Sequence, residues 1–382
     1  MRQRRAGAGI DSALRRGKYD GGVKMSRAKI IKTTMASLNK NEGAFVMSPH
    51  NRRYLTKFNS TSGAVILFKD NAYFITDARY IEGARQTVKD MEIIAAENGI
   101  SEVVSFLCKK HGIKSLAAEA DFMTVSGAVK CETDLGSVLL NLDGSLDKTL
   151  ENMRKIKHKD ELWSIQKAQS LTDDAFLHIL DLIRPGVTEI EIALELENHM
   201  RRRGSQGVAF ETIVASGENS SKPHMTPGKR EIKTGDFVTM DFGAVVDGYC
   251  ADMTRTVAVG KITGEQKAVY DIVLKSQVDC LSGLKPGLTG KEADKIARDV
   301  IEKSGYGKNF SHAAGHCVGI EIHEEPRLSP CCDEKLLPGM VVTVEPGIYL
   351  EGLFGVRIED MALITEKGIK NLTKSAKELI NI

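Results

Sequence analysis

The sequence predicts an α+β protein in two parts. A small α/β domain (residues 25–150) precedes a larger unit (residues 151–382) in which one ααββ motif, two helices and a hairpin, is used twice. Three observations carry this. Short apolar runs alternate with helical patterns in the first part, as in a mixed sheet with helices. Arg184-Pro185-Gly186-Val187-Thr188 is echoed 101 residues on (Pro185 to Pro286) by Lys285-Pro286-Gly287-Leu288-Thr289, each ending one helical pattern and opening the next. Two strand pairs, around Asp241 with Asp252 and around Glu345 with Glu359, each carry two acids. Chance readily gives the Pro-Gly-Thr match alone; it does not readily add a second acidic hairpin.

Taken in order, residues 1–24 are basic and Gly-rich but lack the apolar core of a secretory signal. Their arginines admit a nucleic-acid arm or a transit peptide. The preferred expectation is a disordered tail left by an early start codon, with Met25 opening the first periodic segment. Ser26–Leu38 has helical spacing, Phe45–Met47 is a strand, and Ala64–Phe68 with Ala72–Ile75 is a hairpin. Helix Ala78–Val88, strand Met91–Ala95, helix Glu102–His111, strand Ser115–Ala120 and helix Phe122–Cys131 follow. His50 and Arg53 read as loop residues with no chemical constellation. The charged stretch Glu151–Asp160 reads as a linker and the start of a new helix.

The larger unit begins with a helix over Glu161–Ile183, and a second runs to Arg203. Thr188 with Glu191 and Thr289 with Glu292 are capping boxes at equivalent helix starts, and both helices end near a glycine, Gly204 and Gly305. Lys233–Asp241 is echoed by Leu337–Glu345, so that Asp241 falls on Glu345 and Asp252 answers to Glu359.

The first hairpin, Phe237–Ala244 with Tyr249–Val259, turns at Asp247-Gly248, a pair suited to positive φ. A two-residue loop there sets Asp241 opposite Thr254, with Asp252 its diagonal neighbour on the same face. A Val246-Asp247 loop opposes the two aspartates directly, and a three-residue loop puts them on opposite faces. Two aspartates sharing a face repel unless a cation lies between them. The duplication turns this pair into four converging carboxylates. With one imidazole from His224, His312, His316 or His323, they make a hard-to-borderline donor set. It suits Mn2+ or Fe2+, with Co2+ or Zn2+ also accommodated, and four carboxylates balance two divalent ions. Such a pair lowers the pKa of a bridging water and polarises a carbonyl. His224 and His323 could then orient the carbonyl or stabilise an oxyanion, and Glu345 could shuttle a proton. A segment Gly319–Glu324, if extended, would alternate its side chains.

Net charge of +2 gives no reason to expect nucleic acid or membrane as partner, and no apolar run is long enough to span a bilayer. Seven cysteines without a CxxC pair fit reduced thiols in a cytoplasmic protein.

The second part resembles the pita-bread metallopeptidases: methionine aminopeptidase, Xaa-Pro aminopeptidase and Xaa-Pro dipeptidase (prolidase). The matching pieces are Pro223-His224, Asp241-Phe242-Gly243, Asp252-Met253-Thr254-Arg255-Thr256, Gly315-His316 and His323-Glu324-Glu325-Pro326, with Glu345-Pro346-Gly347-Ile348-Tyr349 and Val356-Arg357-Ile358-Glu359-Asp360. Asn51–Phe58 and Phe74–Tyr80 resemble the creatinase/prolidase N-terminal domain, which methionine aminopeptidases lack. Cys317 and Ala313-Ala314 depart from the family's usual Gly and Gly-Thr.

The resemblance implies a dinuclear site, most readily Mn2+, held by Asp241, Asp252, His316, Glu345 and Glu359. His224 and His323 would be catalytic. His312 would sit near the substrate proline, supported by Tyr349 and Arg357. It implies a homodimer and an aminopeptidase that removes a residue preceding proline. The alternative is an Xaa-Pro dipeptidase, distinguished by a carboxylate-binding Arg at the far end of the pocket; an inactive binding module is a further one.

Overall fold

The computed structural model describes residues 27–36 and 38–382. The expected tail, residues 1–24, lies outside the described residues.

The first part is a six-stranded mixed sheet in the order β4-β3-β2-β1-β5-β6. Its strands are β1 (Glu42–Val46), β2 (Ala64–Phe68), β3 (Ala72–Thr76), β4 (Glu92–Ala95), β5 (Ser115–Ala118) and β6 (Leu139–Asn141). β1, β2 and β3 pair antiparallel, while β4, β5 and β6 join parallel through helical crossovers. Strand β6 escapes sequence reading because three residues carry no periodicity.

Two expectations need correction. His50 and Arg53 lie in a helix, Pro49–Thr56, rather than a loop. Pro49 occupies its first turn, Ser48 caps it by accepting from the Asn51 amide, and Tyr54 and Leu55 are its buried anchors. The charged stretch at residue 151 is no linker: helix Ser145–Lys155 runs through it, burying Leu146 and Leu150. Only Ile156, Lys157 and His158 interrupt the chain before helix Lys159–Ile179.

The second part holds two helix pairs: Lys159–Ile179 with Glu189–Arg202, and Gly264–Gly283 with Gly290–Lys303. The apolar faces of the first pair, including Ile165, Phe176, Ile192 and Leu196, bury against one strand group. Those of the second, including Val273, Ala297 and Ile301, bury against the other. Each large side chain so buried contributes about 1.5–3 kcal/mol.

The duplication extends to backbone detail. Both capping boxes form. Gly186 and Gly287 share a φ of 90°, and their amides donate to the carbonyls of Ile232 (2.9 Å) and Leu336 (2.8 Å). Thr188 bridges Glu231, and Thr289 bridges Lys335. Gly235 and Gly339, which open the two hairpins, have φ of 94° and 96°, where a side chain would be strained.

In the first hairpin, strand Phe237–Phe242 pairs with strand Met253–Ala258, placing Asp241 opposite Thr254. Asp247 (φ 48°) and Gly248 (φ 75°) form the two-residue loop. Asp252 is therefore the diagonal neighbour of Asp241, the first of the three registers considered. The strands are less continuous than expected, because pairing lapses at Gly243 and Asp252 before resuming at Val245–Val246 with Tyr249–Cys250. In the second hairpin, strand Val341–Val344 pairs with strand Asp360–Thr365, and strand Gly347–Leu350 with strand Phe354–Arg357. Glu345 and Glu359 occupy the break between the two ladders.

Candidate metal centre

Asp241, Asp252, His316, Glu345 and Glu359 converge on the floor of a cavity of about 610 Å3, which they line together with His224 and His323. All five belong to hairpin strands or to the breaks beside them, so the rigid ladders fix where their backbones stand. Donor atoms of Asp252, His316 and Glu359 lie within 4.8 Å of one another.

The strand Gly315–Cys317 delivers His316 with a defined tautomer. Its Nδ1–H donates to the Cys317 carbonyl at 3.0 Å, which leaves the Nε2 lone pair facing the cluster. Nε2 stands 3.3 Å from Glu345 Oε1 and 3.6 Å from Asp252 Oδ2. Three electron-rich atoms in mutual view repel unless a cation or a proton lies among them. Burial and the surrounding carboxylates push Asp252 and Glu359 well above the usual carboxylate range, and Glu345 up to about 7. Burial holds His316 down to about 3, so the imidazole stays neutral and able to ligate. Asp241 Oδ1 and Glu359 Oε1 are buried without a hydrogen-bond partner. Orphaned oxygens among crowded acids and a correctly turned imidazole fit a site built for divalent cations.

Each half clasps the acids of the other. Arg357, buried on the second hairpin, reaches across: Nη2 donates to Asp241 Oδ2 (2.7 Å), Nε to Thr254 Oγ1 (3.0 Å) and Nη1 to the Pro223 carbonyl (3.2 Å). Thr254, from the first hairpin, donates its hydroxyl to Glu359 Oε2 (2.7 Å) and accepts the Glu359 amide on its carbonyl (3.1 Å). In the sequence Thr254 stands out as a register partner and as part of the Asp252–Thr256 motif, not as a support of Glu359. Its role here follows from a contact between residues 105 apart, which no local signal announces.

The expected substrate-side residues divide. His224 and His323 line the cavity. The segment Gly319–His323 is bent rather than extended, and the ladder between strands Gly315–Cys317 and Glu324–Leu328 shifts register between His316 and Cys317. The bend brings His323 edge-on to His316, ring centres 4.5 Å apart. Glu324 organises it: its carboxylate accepts the Ile320 amide at 3.1 Å and the Lys157 ammonium at 2.9 Å, and a Cβ on Gly319 would come 2.5 Å from it. His312 is tied into a hydrogen-bond chain. Its Nδ1–H donates to the Ala313 carbonyl (2.8 Å), so Nε2 accepts the Tyr349 hydroxyl (2.9 Å), which in turn accepts from Arg357 Nη1 (2.8 Å). His312, Tyr349 and Arg357 are a chain behind the acids, and burial keeps His312 neutral, its pKa down to about 4.

One further residue went unnoticed in the sequence. Arg327 pairs with His316 across the ladder of Gly315–Cys317 and Glu324–Leu328 and so shares its face. Its guanidinium is half-exposed, 3.4 Å from Glu325, and its charge lowers the pKa of His316, His323 and Glu345. The only available signal was its place at the end of His323-Glu324-Glu325-Pro326.

Two ααββ halves closing on a buried acidic floor define the pita-bread class of metallopeptidase. Residues 164–366 match the profile of metallopeptidase family M24, and residues 27–156 that of the creatinase/prolidase N-terminal domain. The chain belongs to metallopeptidase family M24. Among solved structures it is similar to an Xaa-Pro dipeptidase from Bacillus anthracis, with 41% identity, 93% of this chain and 99% of that one covered, and a TM-score of 0.88. It is also similar to the X-Pro aminopeptidase from Thermotoga maritima MSB8, with 34% identity, coverage of 91% and 100%, and a TM-score of 0.84. Among curated proteins, the uncharacterized peptidase YqhT of Bacillus subtilis (strain 168) is 43% identical over 344 residues, covering 89% of this chain and 95% of that protein. No helix among the described residues is long and apolar enough to cross a membrane.

Proposed function

We propose that this peptidase hydrolyses Xaa-Pro dipeptides, with Asp241, Asp252, His316, Glu345 and Glu359 holding two divalent ions, Mn2+ being the first to test. When bound, such ions supply Lewis-acid polarisation of the scissile carbonyl and a water of lowered pKa. The chain's own groups do the rest. His224 and His323 donate hydrogen bonds toward the carbonyl oxygen as it gains negative charge. Glu345, which stands 3.3 Å from His316 Nε2, takes a proton from the attacking water and returns one to the leaving proline nitrogen. Arg357, Tyr349 and His312 hold Asp241 and the loop of His224 in register. Ile190, Leu194, Phe210 and Ile322 give the cavity an apolar wall suited to a proline ring and the side chain before it.

The observation that favours a dipeptidase over the aminopeptidase expected from sequence is Arg327. A half-exposed guanidinium beside His316 is suited to a free carboxylate one residue beyond the scissile bond. The similarity to the dipeptidase of Bacillus anthracis supports the same choice. The aminopeptidase reading keeps one observation of its own: a 610 Å3 cavity has room for more than two residues. A panel of Xaa-Pro dipeptides, Xaa-Pro-Yaa tripeptides and Met-Ala controls separates them. The dipeptides should show the highest kcat/KM, and Arg327→Gln should raise KM for dipeptides while sparing tripeptides. Tripeptides cleaved as well as dipeptides, with Arg327→Gln indifferent, would return the enzyme to the aminopeptidase class.

A further inference from the structure

Away from the cavity, the first helix pair of the second part carries a second set of metal-ligating side chains. Asp174 and His178 stand one turn apart on helix Lys159–Ile179, as do Glu195 and His199 on the neighbouring helix Glu189–Arg202. The antiparallel packing crosses them: His178 Nε2 is 2.8 Å from Glu195 Oε1, and His199 Nε2 is 2.8 Å from Asp174 Oδ2. The two imidazoles are stacked, 4.1 Å between centres and 19° between planes. Donor atoms of His178, Glu195 and His199 lie within 4.8 Å of one another, and all three side chains are part-buried.

We propose that His178, Glu195 and His199 form a second metal site, for a borderline divalent ion of the Zn2+ class, with Asp174 as the partner that orients His199. Two imidazoles and one carboxylate are a donor set that such ions favour, and solvent can complete the coordination. The exchange is simple: His178 offers its Nε2 lone pair and His199 its Nδ1 lone pair, so Asp174 keeps the Nε2–H of His199, and the proton displaced from His178 Nε2 moves to its Nδ1 or to solvent. Ligation needs the rings to tilt out of the stack, a movement open to His178, the more exposed of the two. Two cations oppose the ion. Arg203 Nε lies 3.0 Å from Asp174 Oδ2, and Arg202 Nη1 lies 4.0 Å from Glu195 Oε1. Both are well exposed and free to swing into water, so they weaken the site without occupying it.

The location gives the ion a consequence. Glu195 and His199 sit on the helix whose other face supplies Ile190, Ala193, Leu194 and Glu197 to the cavity wall. An ion joining the two helices fixes that wall against the rest of the fold.

The test keeps this site apart from the catalytic one. In the Asp252→Ala background, chelator-treated protein is dialysed against micromolar Zn2+ and its metal content counted, beside the same protein carrying His178→Ala and His199→Ala. The expected result is the loss of one Zn2+ per chain with the histidines. Glu195→Gln, which keeps the shape and removes the charge, should lose it too, and Asp174→Asn should weaken binding about 10- to 100-fold. Cu2+ substituted into the Asp252→Ala protein should show hyperfine coupling to two imidazole nitrogens that vanishes in the histidine variants. Equal Zn2+ content with and without His178 and His199, in variants that melt as cooperatively as their parent, would overturn the proposal. So would a copper signal indifferent to them.

Discussion

The two halves of the catalytic unit agree in their helices and differ at their acids. The caps, the Pro-Gly turns and the positive-φ glycines are repeated nearly residue for residue, down to the Thr188–Glu231 and Thr289–Lys335 bridges. In the first hairpin the acids are short and diagonal, with Asp241 opposite Thr254. In the second they are long and face each other across a gap between two ladders, flanked by Val344 with Asp360 and Gly347 with Arg357. The second half also supplies Arg357, while the first supplies Thr254. The scaffold was thus copied, whereas the chemistry is shared between the copies, and neither half makes a site alone.

This comparison can be broken most forcefully at the acids. Asp252→Ala and Glu359→Ala, one from each half, should both reduce peptide hydrolysis to background while circular dichroism stays native. If either variant retained substantial turnover, the equal standing of the halves would be lost.

Arg357→Gln attacks the clasp. It strands a buried carboxylate on Asp241, and breaking such a pair costs about 3–5 kcal/mol. A chemical denaturation curve should show a loss of that order in metal-free protein, with a smaller loss once divalent ions are present. His224→Ala, on the cavity wall, should lower kcat about 100-fold or more with metal content unchanged, since it removes a donor and no ligand. Loss of metal in that variant would mean that His224 has been given the wrong role.

Chelation should make stability depend on pH in a defined direction. Glu345 holds its proton up to about 7 in the folded chain against an ordinary 4.5, and Asp252 and Glu359 are shifted the same way. The folded state therefore binds more protons than the unfolded one, and this contribution to stability is lost as pH rises through the folded values. His312 and His316 act oppositely, but only below their unfolded value of 6.5. Melting temperatures of metal-free protein should accordingly fall as pH rises from 6.5 through about 7, and added Mn2+ should flatten that slope. A flat profile without metal would argue against the crowding of these acids.

The mildest test sharpens the similarity. Thr188→Ala and Thr289→Ala should each cost about 1 kcal/mol, because each removes one cap of the same geometry. Markedly unequal losses would show that the copied scaffold is not energetically symmetric.

How much of this was legible in the sequence follows the range of the interactions. Capping boxes, the turn at Asp247-Gly248 and the helical patterns are local, and the chain announced them. The repeat located all four acids because the two hairpins share a pattern that can be laid one on the other. The clasp of Arg357 on Asp241 joins residues 116 apart, and the bend that carries His323 depends on Lys157 reaching Glu324, 167 residues away. No period or motif reports contacts of that kind. The helix at Pro49 was missed for a different reason: its buried anchors, Tyr54 and Leu55, are preceded by a polar run that looks like a loop.

The central claim is that acids and an imidazole from both halves hold two ions, and metal counting tests it most directly. Protein stripped with chelator, reconstituted with Mn2+ and freed of excess should carry about two ions per chain, and Asp252→Ala and Glu359→Ala should each carry fewer. Less than one Mn2+ per chain in the unaltered protein would contradict it.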